Sequence, residues 1–157
     1  MIEELGSIIR TAIKETVLAF FVADIALEPG PVIVKSGDAD YRPPHADVTA
    51  IVGFGGALKG GVHLSAPSHA ALGLASAFSG EHLDQFNAVF RDAFGELANI
   101  VAGAVKGLLN DAIALNPPQV VVESGLNNVY APSLEYTKCY FMTRNGPFFI
   151  EVFYADN

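Results

Sequence analysis

Apolar residues fall at Ile9, Ile13, Val17, Phe20 and Phe21 in the first stretch of the chain. With about 3.6 residues per turn, that spacing keeps them on one side of a helix and predicts a first helix over residues 2–22. Pro29 and Pro31 end it, because proline lacks the backbone donor a helix needs. Residues 31–35 then read as a short strand, Ser36-Gly37-Asp38 as a turn and residues 38–46 as a loop. The runs 47–54 and 59–65 read as two strands around a glycine-rich turn. Pro67 suits the first turn of a short helix to about Phe78, with Gly80 beyond its end. Helical spacing returns over a long segment from Leu83 to Leu109, closed by Asn116-Pro117-Pro118. Residues 119–123, 134–143 and 147–154 read as three more strands, with Asn145-Gly146 as a hairpin signal between the last two.

An internal repeat organises these elements. Ile25 to Gly37 matches Ile113 to Gly125 at eight of thirteen positions, an offset of 88. The preceding helices align at an offset of 92, Glu4 with Glu96 and Ser7 with Asn99. The four-residue difference is about one helical turn, so the buried face keeps its phase. The expected organisation is a single domain over 1–157. Its copies span about 2–65 and 94–154, are linked by a short helix at about 67–80, and are related by a pseudo-twofold axis. Two long helices, one short helix and six strands joined mostly by hairpins predict an α+β fold, the helices covering a largely antiparallel sheet.

Composition narrows the classes of function. The chain has 157 residues, 51% hydrophobic and 17% charged, enough for one domain with a real core. The longest apolar run, Val17 to Ile25, is interrupted by Asp24 and too short to span a membrane. Glu3 and Glu4 stand where a signal peptide would be basic. A soluble cytoplasmic protein is expected. A formal net charge of −8, with no Lys/Arg cluster, disfavours nucleic acid and anionic lipid as partners. The single Cys139 cannot form an internal disulfide and reads as a small buried hydrophobe in a strand.

The long second helix carries the candidate chemistry. Phe90, Phe94, Leu97, Val101, Ala104 and Leu108 share one side, flanked by Ile100 and Val105. Asp92, Glu96, Asn99, Gly103 and Lys106 form a stripe on the other, spaced 4, 3, 4 and 3. A polar stripe alone is the ordinary solvated side of an amphipathic helix. Asparagine is a mediocre mid-helix residue, however, and Gly95 and Gly103 each cost about 1 kcal/mol against alanine. Such choices suit a flat face meeting another backbone, which makes Asp92, Gly95, Gly103 and Lys106 candidate partner-binding residues.

The pattern Asp92-x-x-x-Glu96-x-x-Asn99, followed by Ile100-Val-Ala-Gly103, resembles the CheC/CheX/FliY family of chemotaxis phosphatases. The single intact motif, the length and the paired halves are most similar to CheX. The resemblance covers nearly the whole chain, including Val48 to Phe54 and Leu58 to Ser65. It implies hydrolysis of the aspartyl phosphate on a CheY-like receiver domain. Asn99 would be inserted to orient the attacking water, and Glu96 would contact a receiver lysine. It implies no cofactor of the chain's own, the receiver supplying aspartyl phosphate, magnesium and a lysine. It also implies a homodimer through strand edges. Where some relatives carry a second motif, this chain has Glu4 but Ser7, so the first helix is expected to serve architecture. The rival reading is a non-catalytic adaptor like the flagellar-switch relatives. A third is a structural dimer whose long-helix glycines serve subunit packing.

Other signals are weaker. Gly53 to Gly60 lacks the Gly-Lys-Ser/Thr ending of a phosphate loop and leads into a strand. His45, His63, His69 and His82 have no metal-ligand spacing. Asp38-Ala39-Asp40 is too short for a calcium loop. Ser65, Ser68 and His69 lack a nucleophile elbow. Phe148, Phe149 and Phe153 read as core and strand residues.

Overall fold

The structure is a computed structural model and describes residues 2–21, 28–36, 46–110, 112–126 and 135–156. Among these residues three helices, α1 (Ile2–Phe20), α2 (Ser68–Ser79) and α3 (Ala88–Leu108), accompany seven strands. The strands are β1 (Glu28–Ser36), β2 (Ala46–Gly56), β3 (Leu58–Ala66), β4 (Ile113–Leu115), β5 (Gln119–Leu126), β6 (Glu135–Thr143) and β7 (Gly146–Asp156). The sheet order is β1-β6-β7-β3-β2, with β4 and β5 side by side along the outer edge of β2. The short β4 and β5 share one sheet position, so the sheet is effectively six-stranded, and every pairing is antiparallel.

The hairpins follow their turn chemistry. Gly56 takes φ 118° between β2 and β3. Gly146 takes φ 116° after Arg144-Asn145, and Thr143 pairs with it across the β6–β7 turn. Both conformations suit a residue without Cβ. The expected turn at 36–38, the loop at 38–46, Asp38-Asp40 and His45 fall mostly or wholly outside the described residues.

Alternation decides the sheet's two faces. Val48, Ala50, Val52 and Phe54 of β2, Val62, Leu64 and Ala66 of β3, and Phe148, Ile150, Val152 and Tyr154 of β7 point into one core with the helices. Ile9, Ile13 and Val17 of α1 join them, as do Ala71 and Leu74 of α2 and Phe90, Phe94, Leu97, Val101 and Val105 of α3. α3 packs against both other helices and lies over β2 and β3, while α1 lies over β6.

Two details of the helices differ from the sequence expectation. α3 begins at Ala88, five residues later than the periodicity suggests, because Asn87 caps it: its side chain accepts from Phe90 N at 2.9 Å. Leu83 is buried instead in the connection, its N–H donated to Ser76 Oγ at 2.9 Å. At the other end Val105 is fully buried and Leu108 is 41% exposed, so the buried face turns away from the expected Ala104–Leu108 line. Pro67 occupies the N-cap of α2 rather than its first turn, and Asp47 from β2 takes over the capping. Asp47 Oδ2 accepts from Ser68 N at 2.9 Å and Ser68 Oγ at 3.0 Å.

The registers line up one row of partners across the sheet: Val32, Cys139, Ile150, Leu64, Ala50, Val120. On the face away from the helices, Thr49 is paired with Ser65 and Lys138 with Glu151. The first pair is a buried hydroxyl hydrogen bond of 3.0 Å. The second is a fully buried ion pair of 3.5 Å. Lys138 Nζ also lies 4.3 Å from the centre of the Phe149 ring. Burial lowers the Lys138 pKa to about 8 despite the opposing pull of Glu151.

Candidate functional site

α3 is fixed in rotation by its buried side. Phe86, Phe90 and Phe94 form an aromatic run with ring centroids 4.8 and 5.3 Å apart. With the rings, Leu97 and Val101 sunk between sheet and neighbouring helices, the helix has one way to face. Asp92, Glu96 and Gly103 are consequently exposed, and Asn99 and Lys106 half-buried.

Among the described residues, none of the side chains of Asp92, Glu96, Asn99 and Lys106 makes a hydrogen bond or ion pair. A half-buried mid-helix asparagine could bond a carbonyl in the preceding turn; Asn99 does not. Its carboxamide, three residues beyond Glu96, can therefore donate and accept toward an incoming group.

The two glycines part company. A Cβ at Gly103 would meet nothing within 4 Å, so that position is flat and open as expected. Gly95 is buried: a Cβ there would lie 3.5 Å from Pro118 Cβ and 3.5 Å from Val120 Cγ2. It lies under the start of β5 rather than on the open stripe. The two segments leave a groove of about 380 Å³ lined by Arg91, Asp92, Gly95, Glu96, Pro118 and Val120. Arg91 Nη1 donates to Val120 O at 2.9 Å across it.

The sequence pattern did not reveal Arg91, Pro118, Val120 or Val89. The first three meet only through tertiary packing. Val89 is 41% exposed and lies three residues before Asp92, extending the stripe by one apolar position. The 3-and-4 spacing contained that signal, but a valine there reads as core.

The remaining candidates lie elsewhere. His63 is on the sheet face away from the helices, 4.8 Å in ring centroids from Phe153, and burial lowers its pKa to about 4. Cys139 is 1% exposed, and burial raises its thiol pKa to about 11, the state of an inert hydrophobe. Ser65 is bonded to Thr49. Among the described residues no group of three or more His, Cys, Asp or Glu side chains could hold a metal ion. No helix among them is long and apolar enough to cross a membrane.

An open antiparallel sheet with helices on one face is the architecture of the chemotaxis phosphatases and their relatives. The family described as chemotaxis phosphatase CheX matches residues 48–141, and the chain belongs to that family. Solved structures share the fold. The chemotaxis protein CheX from Desulfovibrio desulfuricans aligns over 98% of this chain and 99% of its own, with 22% identity and a TM-score of 0.77. CheX from Vibrio vulnificus aligns over 97% and 99%, with 21% identity and a TM-score of 0.78. A chain of the CheX–CheY–BeF3–Mg2+ complex from Borrelia burgdorferi aligns over 96% and 97%, with 19% identity and a TM-score of 0.76. No curated protein sequence matches the chain.

Proposed function

We propose that the protein accelerates hydrolysis of the aspartyl phosphate on a CheY-like receiver domain, with Asn99 orienting the attacking water and Glu96 docking to a receiver lysine. The observation that carries this reading is the pair Glu96 and Asn99. They are one turn apart on a rotationally fixed helix, and neither side chain is bonded to another described residue. Phosphoryl transfer requires positioning and charge neutralisation more than covalent help from the protein. The relative solved with CheY, BeF3 and Mg2+ supports a receiver as partner and the receiver as the source of the metal. Dephosphorylation of a phosphorylated receiver, followed by phosphate release, tests the assignment. Asn99→Ala is expected to lower the stimulated rate on the order of 100-fold, the cost of one positioned polar group. Wild-type turnover by that variant rules the assignment out.

The two-copy organisation belongs to the same proposal. It rests on the sequence repeat and on registers that match β1, β2 and β3 with β5, β6 and β7. The sheet ends in β1 on one side and β4–β5 on the other. Arg91 occupies the Val120 carbonyl on the latter, so β1 is the edge through which a second copy would pair. Sedimentation should give a dimer, and a proline placed at a central β1 residue should give a monomer; a variant that stays dimeric removes this edge from the interface.

A further inference from the structure

We infer that the groove between α3 and the start of β5 is a specificity contact of the docking face. It would take a long basic side chain of the receiver beside its phosphorylation pocket, and Arg91 would hold the groove in shape. The inference rests on the receiver-phosphatase reading and names a contact additional to the Glu96–lysine pair.

The groove's walls differ in chemistry. Pro118 and Val120 supply an apolar wall, Gly95 a floor without Cβ, and Asp92 and Glu96 a rim of carboxylates. A lysine or arginine fits such a site because its methylenes lie on apolar surface while its charge stays at a polar rim. An anion would be repelled by the same rim and by the overall charge of −8.

Arg91 is the cation nearest to this rim in sequence, and its place decides whether the rim stays negative. Its guanidinium donates to Val120 O, 29 residues along the chain, and makes no ion pair with Asp92 or Glu96. That bond fixes the groove's outer wall, satisfies an edge-strand carbonyl and leaves both carboxylates for the partner. Because Glu96 belongs to the groove and precedes Asn99 by three residues, a side chain seated there docks the receiver beside the amide. Arg91 is thus a positioning residue.

Steady-state dephosphorylation of a phosphorylated receiver at several salt concentrations tests this, comparing wild type with Gly95→Ala, Asp92→Asn, Arg91→Lys and Asn99→Ala. Gly95→Ala places a methyl at ordinary contact distance from Pro118 and Val120 and improves helix propensity, so the fold is kept while the floor is filled. Each of the three groove variants is expected to raise KM about fivefold at nearly unchanged kcat. Asp92→Asn should also flatten the salt dependence of kcat/KM. Arg91→Lys keeps the charge but not the guanidinium geometry; a wild-type KM there removes its positioning role. Wild-type KM and salt dependence in Gly95→Ala and Asp92→Asn, with activity lost only in Asn99→Ala, overturn the groove and leave the phosphatase reading standing. Activity that survives Asn99→Ala overturns that reading itself.

Discussion

Asn99 combines two properties that rarely coincide in a helix. It is half-buried on a helix whose other side is sunk in the core, and its amide is bonded to none of the described residues. An amide both donates and accepts, whereas a carboxylate at neutral pH only accepts. Asn99→Asp therefore keeps the shape and removes the donor while adding a charge facing phosphoryl oxygens. Its expected outcome is a stimulated rate as low as that of the alanine variant, with folding unchanged. Receiver dephosphorylation beside a urea titration checks this, and an aspartate variant that turns over like wild type excludes the donor role. Lys138 and Glu151 are the opposite case: fully buried charges committed to each other and to an aromatic ring.

At the scale of an element, α3 is defined by its start. Nothing in the apolar spacing distinguishes Leu83 from Ala88 as the first residue. The decision falls to Asn87, whose side chain satisfies the Phe90 N–H that would otherwise lack a partner. Asn87→Ala should cost about 1 kcal/mol of unfolding free energy, read as a lower urea midpoint at unchanged slope. An unchanged midpoint shows that the first turn is held by the Phe86–Phe90 contact instead. The glycines belong to this scale too. Gly103 leaves the helix surface open, while Gly95 lets β5 come close and so makes the groove.

The molecule as a whole sets its response to acid. His63 lies across the β3–β7 ladder from Glu151 and beside Ile51 of β2, with the Phe153 ring against it. Its folded pKa of about 4 is below the ordinary 6.5 because burial disfavours the charged ring. Above pH 6.5 the imidazole is neutral folded and unfolded, so it adds no pH dependence. As pH falls from 6.5 toward 4 the unfolded chain takes up the proton first, and stability drops. At about 1.4 kcal/mol per pH unit the full effect is near 3 kcal/mol. Unfolding free energies between pH 7 and 4.5 should show this slope in wild type and a shallower one in His63→Asn. Equal slopes assign the acid sensitivity to other groups.

The sequence by itself determined most of the elements and the exposed stripe. Both are written in local periods: about 3.6 residues for the helix that carries Asp92, Glu96 and Asn99, and two for strands such as β2 and β7. Tertiary structure alone decided what those periods cannot encode. It buried Gly95 rather than exposing it, because the start of β5 crosses α3 there. It brought Arg91 to Val120 and Pro118 to Asp92, pairs separated by loops whose path no periodicity specifies. It also replaced the cap of α2 with Asp47 from another strand. Local spacing fixes which side of an element is apolar; only the packing of one element on another fixes which polar groups are consumed and which, like Asn99, are left over.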